Sequence, residues 1–305
     1  MNTREQFQSL WQFGGLTWRE FLGRVWAGIQ KADLIDRAYE LAFNFLFAVF
    51  PLLLFLVSLL GLFAAQGSQL RSNLFSYIQV VLPPDAWHLV SHTLQEITRH
   101  SSSGKLTIGI VFALYAGSAG MTQLMSTLNA AYEVPEGRSW IRVHLISVAM
   151  TLAMSVLIIA ALALVLFGGQ FLQWLGGAAN FGTTVSIAFK VLQWFLALAF
   201  VVLAFAIIYY FAPDVDDQRW YWITPGSVVG VFLWLLASVG MRVYLHFFDT
   251  YTATYGSLGA VIILMLWFYI TGLAMLIGGL INATIEHAAA EHGHPEAKAP
   301  GEKAA

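Results

Sequence analysis

Long apolar runs alternate along the chain with short breaks made of charge, glycine or proline. A helix crossing a hydrocarbon layer about 30 Å thick needs roughly 20 apolar residues at about 1.5 Å of rise each. Six runs reach that length, near 41–65, 106–131, 145–168, 186–211, 224–247 and 258–284. The breaks are sharp, as at Pro213-Asp214-Val215-Asp216-Asp217 between the fourth and fifth runs. The pattern predicts an all-α polytopic membrane protein with six transmembrane helices within residues 37–287. Pro51 falls inside the first run, where it removes a backbone hydrogen bond and is expected to kink the helix. Pro225 opens the fifth, at a position where a helix tolerates proline.

Two further segments have helical periodicity without the length to span. In residues 16–31, Leu16, Trp18, Phe21, Leu22, Val25, Trp26 and Ile29 group on one face, with Arg19, Glu20, Arg24 and Gln30 largely opposite. That is the pattern of a helix lying on the inner leaflet, and equally of a helix packed on the bundle. It belongs to a predicted N-terminal cytoplasmic segment, residues 1–36. Residues 66–104 form the longest outer loop, and Trp87, Val90, Leu94 and Ile97 predict one or two short helices against the outer face. From residue 288 the chain is rich in Ala, Glu, Lys, His and Pro, and residues 288–305 are expected to be a disordered cytoplasmic tail.

Composition agrees with the pattern. Of 305 residues, 58% are hydrophobic and 10% charged, against about 25% charged in an ordinary soluble domain. With 15 Lys and Arg against 17 Asp and Glu, the net charge of −2 offers no general attraction for nucleic acid. Without cysteine there are no disulfides, thiolate metal sites or thiol nucleophiles. Orientation follows the distribution of positive charge. With the N-terminus inside, the outer side holds Arg71, Arg99, Lys105, Lys190 and Arg242, and the other ten of the 15 basic residues lie inside. Both termini are therefore expected in the cytoplasm. Residues 1–15 have no apolar core of the kind a signal peptide carries.

The search for catalytic chemistry returns no phosphate-binding GxxxxGK[ST], HExxH, GxSxG or GxGxxG pattern. No enzyme activity and no cofactor are expected. The candidate chemistry is instead a polar lining. Tyr115, Ser118, Thr122, Ser126 and Asn129 recur at steps of three and four in the second run, one stripe of a helix, suited to lining a path for a polar headgroup or to interhelical hydrogen bonding. Near the outer boundary, Arg242, His246 and Asp249 share a face, with Lys190 at comparable depth on the fourth run. They suit an anionic headgroup, a proton relay or a snorkelling salt bridge. Glu40 sits at the inner edge of the first run and Asn44 deeper, with no clear membrane-buried carboxylate for ion coupling. Ala116 with Gly120 and Gly226 with Gly230 have the small-xxx-small spacing of closely approaching helices.

Weaker candidates are metal sites. His88, His92 and Glu96 stand one helical turn apart in the outer loop, a spacing that suits zinc, but a polar helix face must carry such residues in any case, so a solvated face and no metal site is the expectation. His287, Glu291, His292 and His294 make a His-rich tract near the C-terminus. Asp214, Asp216 and Asp217 suit Mg²⁺, or a loop cap with pairing to Arg219.

An ordered set of landmarks resembles the YihY/BrkB family of bacterial inner-membrane proteins, once named ribonuclease BN. They are Leu41-Ala42-Phe43 through Phe50-Pro51-Leu52-Leu53-Leu54, then Thr127-Leu128-Asn129-Ala130-Ala131-Tyr132 with Glu136 and Arg138, then Pro225-Gly226 leading to Trp234, and Thr254-Tyr255-Gly256-Ser257-Leu258-Gly259-Ala260 leading to Trp267. The resemblance implies a six-helix inner-membrane protein linked to envelope functions such as serum resistance and export of lipid precursors. The zinc-dependent ribonucleases that share the old name carry a His-x-His-x-Asp-His cluster, and no such run occurs here. Where the family suggests Gly-Ala-Glu late in the last helix, this chain has Gly278-Gly279-Leu280. The functional expectation is a transporter or flippase-like protein for an amphiphilic or anionic envelope molecule, partnered by membrane lipids. The alternative is a non-catalytic scaffold for envelope assembly or virulence. Homo-oligomer formation is left open.

Overall fold

The computed structural model describes residues 13–63, 111, 114–176, 183–215, 224–247, 257–293, 297 and 299–301. Its regular elements are a 3₁₀ turn, Phe13–Gly15, and seven helices: α1 (Trp18–Lys31), α2 (Leu34–Phe63), α3 (Ala119–Ala131), α4 (Trp140–Gly176), α5 (Thr183–Phe211), α6 (Pro225–Phe247) and α7 (Ser257–Glu291). Residues 114–117 are also helical and pass through a turn at Ser118 into α3. No strand occurs among the described residues. The first outer loop with His88, His92 and Glu96, together with Asp216, Asp217, Asp249 and His294, lies outside them.

Four of the helices carry stretches long and apolar enough to cross a membrane: Trp140–Val165, Ile187–Phe211, Pro225–Leu245 and Val261–Glu291. They correspond to the third to sixth expected spans. At most 28% of the apolar window in any of them is buried against protein. Side chains such as Trp194, Phe195, Phe232 and Leu236 are instead exposed. A surface this large and apolar is one that lipid, or another protein within the membrane, covers. Helix α2 runs unbroken past Pro51 and covers nearly all of the first expected span.

Helix α7 is the hub, packing against α6, α2, α3, α1 and the 3₁₀ turn; α4 packs chiefly on α5. Leu34, Leu41, Leu124, Leu128, Phe205, Ile208, Leu276, Leu280 and Ile285 form the core. Leu34 and Leu41 lie toward the start of α2, Leu124 and Leu128 in α3 and the others toward the ends of α5 and α7. Among the described residues this core therefore sits toward one end of the bundle, here called the basal end, where α6 starts. The small-residue spacings are used there. A methyl on Gly120 would come within 2.9 Å of Phe45, and one on Gly226 would overlap the Gly278 carbonyl and approach Asn282 Oδ1 to 2.5 Å. Close helix approach demands glycine at these positions.

The helix ends differ from expectation in two places. Helix α4 begins at Trp140 and ends at Gly176, outlasting the 145–168 run at both ends. Helix α7 continues to Glu291, past residue 288 where the tail was expected to begin. Alanine's high helix propensity carries the extension, and packing holds it. Ala288 is fully buried, and Gly14, in the left-handed region at φ 62°, lets the backbone of the 3₁₀ turn press against Ile285 and Ala289. Arg24 pairs with Glu291 at 2.8 Å on the same extension.

Candidate functional site

Two adjoining clusters of polar groups form at the basal end; other buried polar side chains, Ser147, Thr151 and Ser155 on α4 and Gln193 on α5, lie farther along the bundle. The first is built on the connection between α3 and α4. Tyr132 caps α3, and Glu133 turns the chain through a left-handed conformation (φ 57°) into residues 134–137, which have no regular structure. Arg138 then folds back over Glu136 in a fork, Nε to Oε1 at 2.8 Å and Nη2 to Oε2 at 2.7 Å. The same guanidinium donates to the last carbonyls of α5, Ala212 at 2.9 Å and Phe211 at 3.4 Å. Those carbonyls have no partner within the helix and carry the negative end of its dipole, which a cation satisfies. Asp214 Oδ1 lies 3.6 Å from Arg138 Nε, and its Oδ2 accepts from the Gly137 amide at 2.8 Å. Asn129 closes the ring: its Oδ1 accepts from the Asp214 amide at 2.7 Å and its Nδ2 donates to Glu136 Oε2 at 2.8 Å. Hydrogen bonds from Arg138 hold the Glu136 carboxyl below the usual carboxylate range.

The second cluster lies where α3, α5, α6 and α7 meet. Asn282 on α7 accepts from the Gly226 amide at 2.9 Å and donates to Thr224 Oγ1 at 3.0 Å. It also hydrogen-bonds the buried Tyr132 hydroxyl, near the Glu286 carboxylate, and burial pushes that phenol's pKa up. The Tyr209 hydroxyl donates to the Met275 carbonyl at 2.8 Å, in a space that Gly230 and Gly278 leave open. One turn above Met275 on α7, Thr271 Oγ1 is buried with no hydrogen-bond partner. Tyr132, Val134 and Ala283 pack together with Val215 between the two clusters.

The stripe expected on the second run is divided by this packing. Ser118 and Asn129 are buried, Thr122 is half-buried, and Tyr115 and Ser126 are exposed. Leu124, Met125, Leu128 and Ala131 supply most of the buried face of α3. Ser118 and Thr122 spend their hydroxyls on their own helix, donating to the carbonyls of Tyr115 and Ser118, the local alternative open to any helical Ser or Thr. Tyr115 stacks over His144 instead, with ring centroids 6.0 Å apart. Of the five, only Asn129 joins the basal clusters. Lys190 and Arg242 are exposed toward the opposite end, each about 25–30 Å along its helix from the basal end at 1.5 Å per residue. His246 lies on α6 one turn beyond Arg242. Asp214 caps a loop, as expected, through Arg138, Gly137 and Asn129; Arg219, its expected partner, lies outside the described residues.

Sequence reasoning missed Tyr132, Tyr209, Thr224, Thr271, Asn282 and Glu286 as a group. The available signal was Asn282 and Glu286 one turn apart at the end of a long apolar helix, beside Gly278.

Among the described residues, an all-helical fold whose long apolar spans are left largely unburied marks an integral membrane protein. Residues 25–302 match the family model described as virulence factor BrkB, and the chain belongs to that family. A Bacillus subtilis protein named ribonuclease-like protein YfkH is 32% identical over 253 residues, covering 82% of this chain and 89% of the relative. A UPF0761 membrane protein of Idiomarina loihiensis is 24% identical over 223 residues, 72% of this chain and 74% of its own. One from Xanthomonas oryzae is 28% identical over 282 residues, 90% of this chain; the chain spans 60% of that relative's length. No solved structure matches. The family is that of a virulence factor and of membrane proteins and is not a known enzyme family; the ribonuclease-like name belongs to YfkH.

Proposed function

We propose that this protein is a transporter or flippase-like protein of the bacterial inner membrane, with both termini cytoplasmic, that moves an amphiphilic or anionic envelope molecule. The observation that carries the reading is the polar column on α7, from the unpartnered Thr271 hydroxyl past Tyr209 to Asn282, Tyr132 and Glu286. A buried hydroxyl without a partner costs about 1–3 kcal/mol. A bundle that served only as an anchor would have no use for such a group. Hydroxyl, amide and phenol groups in a row suit the sugar or phosphate-ester portion of a headgroup, and Lys190 and Arg242 at the far end suit its negative charge. The Arg138 ring supports the same reading. A buried ion pair adds little stability over a well-packed apolar substitute, so its place here is that of a latch between the ends of α3, α4 and α5.

The test is reconstitution into liposomes with a panel of fluorescent phospholipids, isoprenoid-linked lipids and anionic solutes. Transport of at least one class above protein-free vesicles is expected, and Asn282→Ala and Tyr132→Phe are expected to slow it while the protein stays monodisperse. A panel with no movement at all overturns the reading. Movement that both variants leave unchanged removes the α7 column from it. Envelope phenotypes retained in cells by both variants favour the scaffold alternative.

A further inference from the structure

The apolar face of helix α1 is broader than the part that the bundle covers. Phe21 and Val25 are buried, and Gly28 lies so close to α7 that a methyl there would meet Leu280 at 2.8 Å. Trp18, Leu22 and Trp26, at steps of four, are 58%, 50% and 63% exposed. Arg19, Glu20, Ala27 and Lys31 are exposed on the remaining side. The helix is pinned rigidly in this orientation. A reciprocal capping box joins Thr17 and Glu20, with the Thr17 amide 3.0 Å from Glu20 Oε2, and salt bridges run from Arg24 to Glu291 and from Lys31 to Glu133. The uncovered sector therefore does not rotate into the core.

We infer that α1 lies in the plane of the membrane with Trp18, Leu22 and Trp26 seated in the lipid interface of the leaflet at the basal end. The occupant is lipid because the chain turns only through Ala32 and Asp33 before α2, and α2 continues with Ile35, Tyr39, Phe43 and Phe47, again at steps of four and again exposed. That second stripe lies on the helix of the first expected span, so on that expectation the uncovered face of α1 adjoins surface that lipid covers. Tryptophan is the side chain that favours headgroup depth, and an in-plane helix buries its apolar face about 5–10 Å into that zone. A consequence follows for the polar clusters. Gly28 packs on Leu280, two residues from Asn282, so the Asn282–Tyr132 cluster sits at headgroup depth on that side and meets the headgroup rather than the acyl chains of a lipid.

The absence of cysteine makes the test direct. Single variants Leu22→Cys, Trp26→Cys and Ala27→Cys are spin-labelled in full-length protein and reconstituted in phosphatidylcholine–phosphatidylglycerol vesicles. Collision rates with oxygen and with a polar nickel chelate are then compared. Labels at 22 and 26 should collide several-fold less with the chelate than the label at 27, and more with oxygen. Equal chelate access at all three positions overturns the inference. Labels at 22 and 26 shielded from both reagents also overturn it, in favour of a protein partner or a second copy. The outcome is independent of whether transport is observed.

Discussion

Arg138 offers the sharpest test of how the basal end is held. Its side chain is 5% exposed, against 11% for Asp214 and 35% for Glu136. Arg138→Met keeps most of the aliphatic volume and removes the charge, which strands two carboxylates and two α5 carbonyls. Breaking a buried ion pair by removing one partner costs about 3–5 kcal/mol, because the remaining charge has lost its compensation. Glu136 is one-third open to water and recovers part of its hydration, which places the expected loss near the lower figure, about 3 kcal/mol. Removing all three charges is different. Arg138→Met combined with Glu136→Gln and Asp214→Asn leaves polar but neutral groups and should recover the part of the loss that comes from the stranded carboxylates, while the α5 carbonyls stay without their donor. Arg138→Lys should fall between, since an ammonium keeps the charge but cannot form the fork to Glu136 while reaching Ala212. The assay is the temperature at which half of the detergent-purified protein remains monodisperse by size exclusion. The reasoning is refuted if Arg138→Met keeps the wild-type midpoint. It is also refuted if the triple variant is no better than the single, since the stranded carboxylates would then not be the source of the loss.

Three further outcomes are expected. Gly278→Ala puts a methyl against the Tyr209 hydroxyl and the Gly226 carbonyl and should cost about 1–3 kcal/mol by overpacking; Gly23→Ala, with nothing within 4 Å on α1, should gain up to about 1 kcal/mol in the same thermal assay. Thr17→Ala removes the capping box of α1 and should cost about 1 kcal/mol, read as faster amide exchange confined to the first turn of that helix. Glu136 has a depressed folded-state pKa, so its contribution is complete above the unfolded value of about 4.3 and is lost as pH falls through the folded one. The stability gap between wild type and Glu136→Gln should therefore be constant near neutrality and narrow on acidification below that value; a gap that widens there contradicts the assignment.

The spans from α4 to α7 were legible because a 20-residue apolar run has few other uses, and the glycine spacing at Gly226 and Gly230 was legible because it records how near a neighbour comes. The ends of α4 and α7 were not. Trp140, Ile141 and His144 are too mixed in polarity to extend a hydropathy run, and the Ala-rich end of α7 packs against Gly14 and pairs with Arg24, both distant in sequence. The same separation hid the polar clusters. Asn129 finds Asp214 across 85 residues, and Thr224 finds Asn282 across 58. No periodicity within one helix encodes a pairing of that kind. The stripe from Tyr115 to Asn129 shows the converse, since each helical Ser or Thr has a carbonyl one turn back as an acceptor, and spacing alone does not distinguish that use from a lining.

The scarcity of charge takes on a direction once the pairs are placed. At the basal end Arg24, Lys31 and Arg138 are all paired with carboxylates, and the Arg138 ring ties α3, α4 and α5 together. Toward the other end, Lys190 and Arg242 are exposed on the sides of α5 and α6, and Gln193 reaches the Val165 carbonyl across the α4–α5 pair at 3.0 Å. Separating helices at the basal end would break a desolvated ion-pair ring, at about 3 kcal/mol or more. Among the described residues, separation at the far end meets chiefly apolar contacts that lipid can replace. On the transport reading, this is the conformation with the basal end shut. A substrate that opens it must then offer Arg138 or its carboxylates a replacement partner, which an anionic or hydroxylated headgroup does and an acyl chain does not.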